Sequence, residues 1–182
     1  MKNSNGLNEL FLDQLEGMYN SENQIIDSLP KLIKLASNNE LKDALSKHLK
    51  ETENQVVRLE KIFSILGIKI SKKPCEAMKS LIHEAETLIG NKNKSSSLDA
   101  AIICAAQKVE HYEIASYGTL LSFAKHLDFD SEVCDLLKEI LNEEWGADKK
   151  LTKIADGSIF STGVNKEAAG ATVTANSHKS KR

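Results

Sequence analysis

The chain has 182 residues, a formal net charge of −2, 41% hydrophobic residues and 27% charged residues. This is the composition of an ordinary globular protein, and it shows no clustered basic surface, so we expect no nucleic-acid partner. No apolar run reaches membrane-spanning length, and the N-terminus lacks the apolar region of a secretory signal. Three widely spaced cysteines fit reduced thiols better than disulfides or a zinc site, so we expect a cytoplasmic protein without a membrane partner.

Two long segments in the first third of the chain carry apolar residues in steps of three and four, which predicts two amphipathic helices. The first stripe runs from Phe11 to Ala36, with Glu22 in its middle and Pro30 as the predicted position of a kink or local break. The second stripe runs from Leu41 to Leu66 and also includes the polar side chains of His48, Thr52, Gln55 and, at its edge, Glu51.

Two more long helices are predicted in the second half, after a shorter amphipathic helix near 75–89 and a polar linker. The third long helix runs from about Leu98 to Leu127, and Ser97 is a possible N-terminal cap. The fourth long helix begins near Asp130 or Ser131 and ends at Gly157. The polar residues predicted on or beside the inward faces of these two helices are Glu110, Glu113, Tyr117, Glu144 and Asp148.

The lengths of the connections predict how these helices are arranged. Short connections after the first and third long helices make each pair antiparallel neighbours, whereas the long connection between the pairs crosses the bundle. We therefore predict an all-α fold, a ferritin-like four-helix bundle with one long crossover that contains an extra short helix. The predicted domain covers residues 1–156, and residues 157–182, which are small and polar, are predicted to form a disordered tail.

Four glutamates lie near the middle of the four long helices, so antiparallel packing should bring them to one level. These residues are Glu22, Glu51, Glu110 and Glu144. A buried carboxylate without compensation costs several kcal/mol, and no lysine or arginine lies on the inward arcs. Protonation, water or two divalent cations would relieve this cost. An alternative is that the helices rotate enough to place Glu51 and Glu113 at the rim, paired with surface lysines.

Four stretches resemble the YciE/YciF family of the ferritin-like superfamily over roughly residues 7 to 156: "SENQIIDSLPKL", "HLKETENQVVRLEKIF", "AAQKVEHYEIASYGTL" and "EEWGADKKLTKIA". The resemblance implies a bacterial, cytoplasmic protein linked to stress responses, a homodimer and a candidate di-iron site. It also implies terminal ligands at Glu22 and Glu110 and bridging ligands at Glu51 and Glu144.

This chain departs from the superfamily pattern, in which a Glu-x-x-His motif on two helices supplies a nitrogen ligand to each metal ion. The corresponding positions hold Asn54 and Ala147. An oxygen-rich ligand set shifts preference from iron towards manganese, or weakens binding. The candidate replacement ligands are Gln55, Asp148, Glu113 and His48, and Tyr117 is a candidate hydrogen-bond donor to a ligand carboxylate. His111 points away from the inward arc and is not expected to be a ligand.

Two functions remain open at the level of sequence. The first is a ferroxidase-type oxidoreductase that binds two ferrous ions, or manganese, and oxidises Fe(II) with dioxygen or peroxide. The second is a non-catalytic, dimeric structural or interaction protein of the stress response with a vestigial metal site. Iron storage is a weaker third hypothesis, because the sequence offers no evidence of the large assembly that storage requires.

Overall fold

The structure is a computed structural model that describes residues 6–71, 73–158 and 161–170. Its principal elements are five helices and two very short strands. They are α1 (Leu7–Leu35), α2 (Asn39–Ile65), α3 (Glu76–Ile89), α4 (Ser96–His126), α5 (Ser131–Asp156), β1 (Gly157–Ser158) and β2 (Ser161–Thr162).

Side-chain caps fix where three of the helices begin. The side chains of Asn38, Ser95 and Asp130 accept hydrogen bonds from backbone N–H groups in the first turns of α2, α4 and α5. The cap of α4 is therefore Ser95 and not the predicted Ser97, while the predicted start of α5 is confirmed. Helix α1 continues through Pro30 without a break.

The long helices pair as the connection lengths predicted. Short turns link α1 to α2 and α4 to α5, and these two pairs form the most extensive contacts between elements. Helix α3 lies in the crossover and packs against α4 and α1. The predicted all-α four-helix bundle with one long crossover is thus confirmed. Within the described ranges, every helix is too short or too polar to cross a membrane.

Two separate apolar clusters fill the bundle. The first cluster includes Ile25, Leu29, Leu41, Leu45, Ile102, Ile103, Leu151 and Ile154. The second cluster includes Phe11, Leu15, Met18, Leu59, Ile62, Leu120, Leu137 and Ile140. On each long helix the two clusters are separated by a short polar segment, so the polar segments meet at mid-height. The buried polar side chains of the bundle are concentrated there.

A buried carboxylate ties the turn between α1 and α2 to the first turn of α4. Asp99 accepts hydrogen bonds from the backbone N–H groups of Ser37 (2.7 Å) and Asn38 (2.9 Å) and from the Ser37 hydroxyl (2.5 Å). Each of its two oxygens has a donor. The Asp99 side chain therefore satisfies backbone groups that the helix termini would otherwise leave unpaired.

The prediction of a disordered tail from residue 157 onward is wrong for the described part of that segment. Strands β1 and β2 form an antiparallel pair, and residues 164–170 are helical. Val164 is 1% exposed and belongs to the first apolar cluster. At Gly163 a side chain would collide with the backbone of residues 155–157, which the hairpin approaches closely. Residues 171–182 lie outside the described residues.

Candidate metal centre

Four buried side chains from three helices meet between the two apolar clusters. His48 comes from α2, Glu110 and Glu113 from α4, and Glu144 from α5. Each residue offers one nitrogen or oxygen atom, and these four atoms all lie within 4.8 Å of one another. Because Glu110 and Glu113 are three residues apart on a helix, both face the same side. The predicted meeting of acidic side chains at mid-height is therefore observed for α4 and α5.

Glu22 brings α1 to the same centre. Its side chain is fully buried, and the Tyr117 hydroxyl donates a hydrogen bond to Glu22 Oε1. Burial raises the pKa of Glu22 well above its ordinary value, and the nearby charge of Glu144 raises it further. Tyr117 is thus a donor to a carboxylate of the cluster, as the sequence predicted. We call Glu22, His48, Gln55, Glu110, Glu113 and Glu144 the central cluster.

The central cluster contains every buried side-chain nitrogen or oxygen atom of the described residues that lacks a hydrogen-bond partner. These atoms are Glu22 Oε2, Gln55 Oε1, Glu110 Oε2, both carboxylate oxygens of Glu113, and Glu144 Oε2. All of them are acceptor oxygens. Unpaired buried acceptor oxygens cost free energy, and either protons or a bound cation would relieve this cost. The centre therefore lacks positive charge and hydrogen-bond donors.

Burial dominates the titration of the glutamates. It raises the pKa of Glu110 and of Glu113 well above their ordinary values, and neighbouring carboxylates raise both further. The pKa of Glu144 is raised to about 7, again mainly by burial. The carboxyl groups of Glu22 and Glu113, and those of Glu110 and Glu144, lie close enough for each pair to share a proton when one member is protonated. Without a metal ion, the cluster therefore holds protons that a cation would have to displace.

His48 supplies a neutral nitrogen donor. Burial lowers its pKa to about 4, although the charge of Glu51 acts in the opposite direction. Its Nε2 atom lies 3.5 Å from Glu110 Oε1. At neutral pH the imidazole is therefore uncharged, which is the form that binds metals. It cannot serve as the counter-charge for the carboxylates.

Gln55 holds Glu144 from the α2 side, and Arg58 holds the neighbouring Glu143. The Gln55 amide donates to Glu144 Oε1 (2.5 Å) and to Glu143 Oε2 (2.9 Å). Arg58 holds Glu143 with two hydrogen bonds of 2.9 Å and also contacts Glu139. The guanidinium charge is therefore engaged outside the central cluster. The helical periodicity of α2 indicates Gln55 only as a possible ligand and gives no signal for the role of Arg58.

Two predicted ligands, Glu51 and Asp148, lie outside the central cluster. Glu51 is half-buried and pairs with Lys47 at 2.5 Å. Asp148 accepts a hydrogen bond from Gln107 (3.1 Å) and lies 3.4 Å from His111 Nε2. The alternative in which Glu51 and Glu113 both reach the rim thus describes Glu51 but fails for Glu113, which is fully buried. Ligand roles for Glu51 and Asp148 stay predictions.

A cavity of about 380 Å³ leads from the surface to this centre between α2 and α5. Its inner wall includes His48 and Glu110, and Glu51 lies beside them. Its outer residues include Glu40 and Lys47, whose side chains are 60% and 75% exposed. The buried donors are therefore accessible to small ions from solvent on one side of the bundle.

Comparison with known proteins identifies relatives along nearly the whole chain. The family described as "Domain of unknown function (DUF892)" matches residues 6–169. Protein YciF of Escherichia coli (strain K12) is 41% identical over 165 residues, which cover 90% of this chain and 99% of that protein.

Two solved structures are similar in fold as well as in sequence. The first is YcfI, a proposed structural protein from Rhodopseudomonas palustris, with a TM-score of 0.81 and 42% identity, covering 85% of this chain and 98% of that one. The second is the E. coli stress protein YciF, with a TM-score of 0.78 and 41% identity, covering 82% of this chain and 94% of that one.

Proposed function

Since the chain belongs to the family described as "Domain of unknown function (DUF892)", we propose its function from its own geometry. The protein binds two divalent metal ions, iron in the first place, at the central cluster and oxidises Fe(II) with dioxygen or peroxide. Manganese is the second candidate, because the donors are mostly oxygen atoms. Similarity to YciF, a stress protein of E. coli, supports a role for this activity in a stress response.

One observation carries the proposal: the unpaired buried polar atoms of the central cluster are all acceptor oxygens. A random packing defect would leave donors and acceptors unpaired in several places of the core. Here five carboxylate oxygens and one amide oxygen face the same small region, and a neutral imidazole nitrogen lies among them. Carboxylate oxygens and imidazole nitrogens are the ligands that divalent iron and manganese accept in four-helix bundles.

The contacts indicate which atoms are free to bind. Glu110, Glu113, Glu144 and His48 would hold one ion, while Glu22 with Glu113 and the Gln55 amide oxygen would complete the site for the second. Tyr117 occupies one oxygen of Glu22 and Gln55 occupies one oxygen of Glu144, so each carboxylate keeps its other oxygen free. Bound iron supplies the electrons that reduce the oxidant. The two apolar clusters exclude water on both sides of the centre.

Anaerobic titration of the metal-free protein with Fe(II), read by equilibrium dialysis, tests the proposal. We expect two ions per chain, followed on exposure to air by a transient visible absorbance. Glu113→Gln should reduce the bound iron to one ion or none, whereas Glu53→Gln makes the same substitution at an exposed position of α2 and should bind two. A flat titration of the wild-type protein at neutral pH would disprove the proposal.

A second function is favoured by the raised pKa values and the linked carboxyl groups, which allow the centre to remain protonated without a metal ion. In this case the protein is a dimeric structural or interaction protein of the stress response with a vestigial metal site. YcfI, a proposed structural protein, is consistent with it. This function predicts that Fe(II) and Mn(II) leave the thermal unfolding curve of the wild-type protein unchanged.

Under either function we propose a cytoplasmic homodimer. Val57 on α2 and Trp145 on α5 are apolar side chains that are 61% and 44% exposed, and a second copy of the chain could cover them. Light scattering of the purified protein should give twice the chain mass of 20.1 kDa. A value equal to the chain mass at micromolar concentration would contradict the dimer.

A further inference from the structure

We propose that Glu51 captures the incoming metal ion at the cavity between α2 and α5 and transfers it to Glu110 and His48. This inference rests on the proposed metal-binding function and assigns Glu51 a role different from the bridging ligand predicted by the superfamily pattern. Glu51 would contact the ion during entry and exit, but it would not hold the ion at equilibrium.

The position of Glu51 in the cavity supports this role. It lines the cavity with both His48 and Glu110. Its side chain is 22% exposed, whereas those of His48 and Glu110 are 8% and 3% exposed. Exposure therefore decreases along the path from Glu51 to the central cluster. Glu110 Oε2 is buried without a partner at the inner end, so the cavity ends at a side chain ready to accept an ion.

The spacing of residues along α2 also connects Glu51 to the centre. Glu51 lies three residues after His48 on α2, so both side chains face the same side of the helix, and both line the cavity that reaches Glu110. A cation beside Glu51 is therefore already within the field of the acidic centre, which favours its further movement inward.

The ion pair with Lys47 provides a simple way to release Glu51. Lys47 is 75% exposed and lies one helical turn before Glu51, an arrangement in which an ion pair contributes little to stability. A divalent cation can displace the lysine at small cost, because the lysine ammonium returns to water. Asp148 is less suited to capture, since it already contacts Gln107 and His111.

The kinetics of Co(II) loading distinguish capture from ligation. Trp145, the single tryptophan of the chain, directly follows Glu144, so quenching of its fluorescence reports Co(II) binding in stopped-flow measurements. A residue that acts only during passage changes the rates of entry and exit by the same factor and leaves the dissociation constant unchanged. We expect Glu51→Gln to slow both Co(II) loading and Co(II) release into excess EDTA by about tenfold, as expected for the loss of a steering charge.

Two further variants separate capture from a general attraction by negative charge. Glu40→Gln removes the same charge from the outer part of the same cavity and should slow loading by less than about twofold. Lys47→Met removes the competing ammonium and should accelerate loading severalfold. Circular dichroism checks that each variant folds, and dialysis against Co(II) gives the dissociation constants.

The possible failures point to different conclusions. If wild-type protein binds no Co(II), the proposed metal-binding function fails together with the capture role. If wild-type protein binds Co(II) and Glu51→Gln loads at the same rate, or no more slowly than Glu40→Gln, the capture role alone is wrong. If Glu51→Gln weakens equilibrium binding as strongly as Glu113→Gln does, Glu51 is a ligand and the capture role is again wrong.

Discussion

The bundle buries carboxylates in two places that differ in their hydrogen bonding. At the turn between α1 and α2, Asp99 receives three hydrogen bonds and each of its oxygens has a donor. In the central cluster, five buried carboxylate oxygens have none. Both environments are nearly inaccessible to solvent, so burial does not distinguish them. The difference lies in the hydrogen-bond donors that surround each carboxylate.

This contrast separates a structural carboxylate from a candidate ligand. The free-energy cost of desolvating Asp99 is offset because its carboxylate accepts hydrogen bonds from backbone N–H groups at helix ends, as a capping side chain does. The glutamates of the centre accept few hydrogen bonds from the protein, and they raise one another's pKa. We therefore expect opposite responses to substitution. Loss of the Asp99 carboxylate should destabilise the fold, whereas neutralising a central glutamate should remove metal binding without destabilising it.

The largest effect is expected at the structural site. Asp99→Ala leaves the N–H groups of Ser37 and Asn38 buried without partners, which should lower the free energy of unfolding by about 3 kcal/mol. Urea denaturation followed by circular dichroism measures it. Asp99→Asn keeps one acceptor oxygen and should lose less. Equal stability of Asp99→Ala and wild type would show that the two sites do not differ in the proposed way.

The increase in stability caused by bound metal should depend on the central cluster and not on Asp99. At a metal concentration of 100 times the dissociation constant, binding of one ion adds about 2.7 kcal/mol to the stability of wild-type protein. The same gain as in wild type is expected for Asp99→Asn, because its substitution lies outside the cluster, and a smaller gain or none is expected for Glu113→Gln, which binds one ion or none. Thermal unfolding with and without Mn(II) gives these differences. A full gain in Glu113→Gln would place the ion elsewhere.

The pH dependence tests the raised pKa of Glu144. In the metal-free protein this carboxyl keeps its proton up to about pH 7, whereas in the unfolded chain it loses the proton near its ordinary pKa of 4.5. The folded state therefore binds more protons between these values, so this contribution to stability is present below pH 4.5 and is lost as the pH rises towards 7.

Glu144→Gln does not titrate at this position. Its stability relative to wild type should therefore increase by about 2 kcal/mol between pH 5 and pH 7 in chelator-containing buffer. Comparing two variants at each pH removes the opposing contribution of His48, whose lowered pKa acts in both. A difference that is constant with pH would contradict a raised pKa at Glu144.

The smallest effect is expected for the ion pair between Lys47 and Glu51 at the rim of the cavity. Lys47→Met breaks the contact with Glu51, and we expect a change in the free energy of unfolding below about 0.5 kcal/mol. Chemical denaturation of the metal-free variant measures it. A loss above about 1 kcal/mol would mean that this pair is part of the structural framework.

The sequence predicted the bundle and most of the central cluster because both depend on periodicity. Glu22, Glu110 and Glu144 lie on apolar stripes near helix centres, and short turns align those centres. Glu51 illustrates the limit of this reasoning. It lies at the edge of the α2 stripe, and a modest rotation of the helix moves such a residue between the centre and the rim. The same rotation brings His48 and Gln55 inward.

Features that depend on tertiary contacts could not be predicted from periodicity. The carboxylate of Asp99 contacts a turn about 60 residues away in the sequence, and nothing near Asp99 in the sequence indicates this partner. The hairpin after α5 has no helical pattern, so its small polar residues predict a disordered tail. Gly163 and Val164 were the available signals, a glycine where the backbone approaches closely and an isolated apolar side chain.

The folded hairpin changes where this protein can be shortened. Val164 fills a position among the ends of the helices that a chain cut after Asp156 would leave empty, with apolar side chains newly exposed to water. A recombinant fragment that ends with α5 would therefore expose apolar side chains at that end of the bundle and would tend to aggregate. A fragment that keeps this contact has to extend past Asp156 and include Val164.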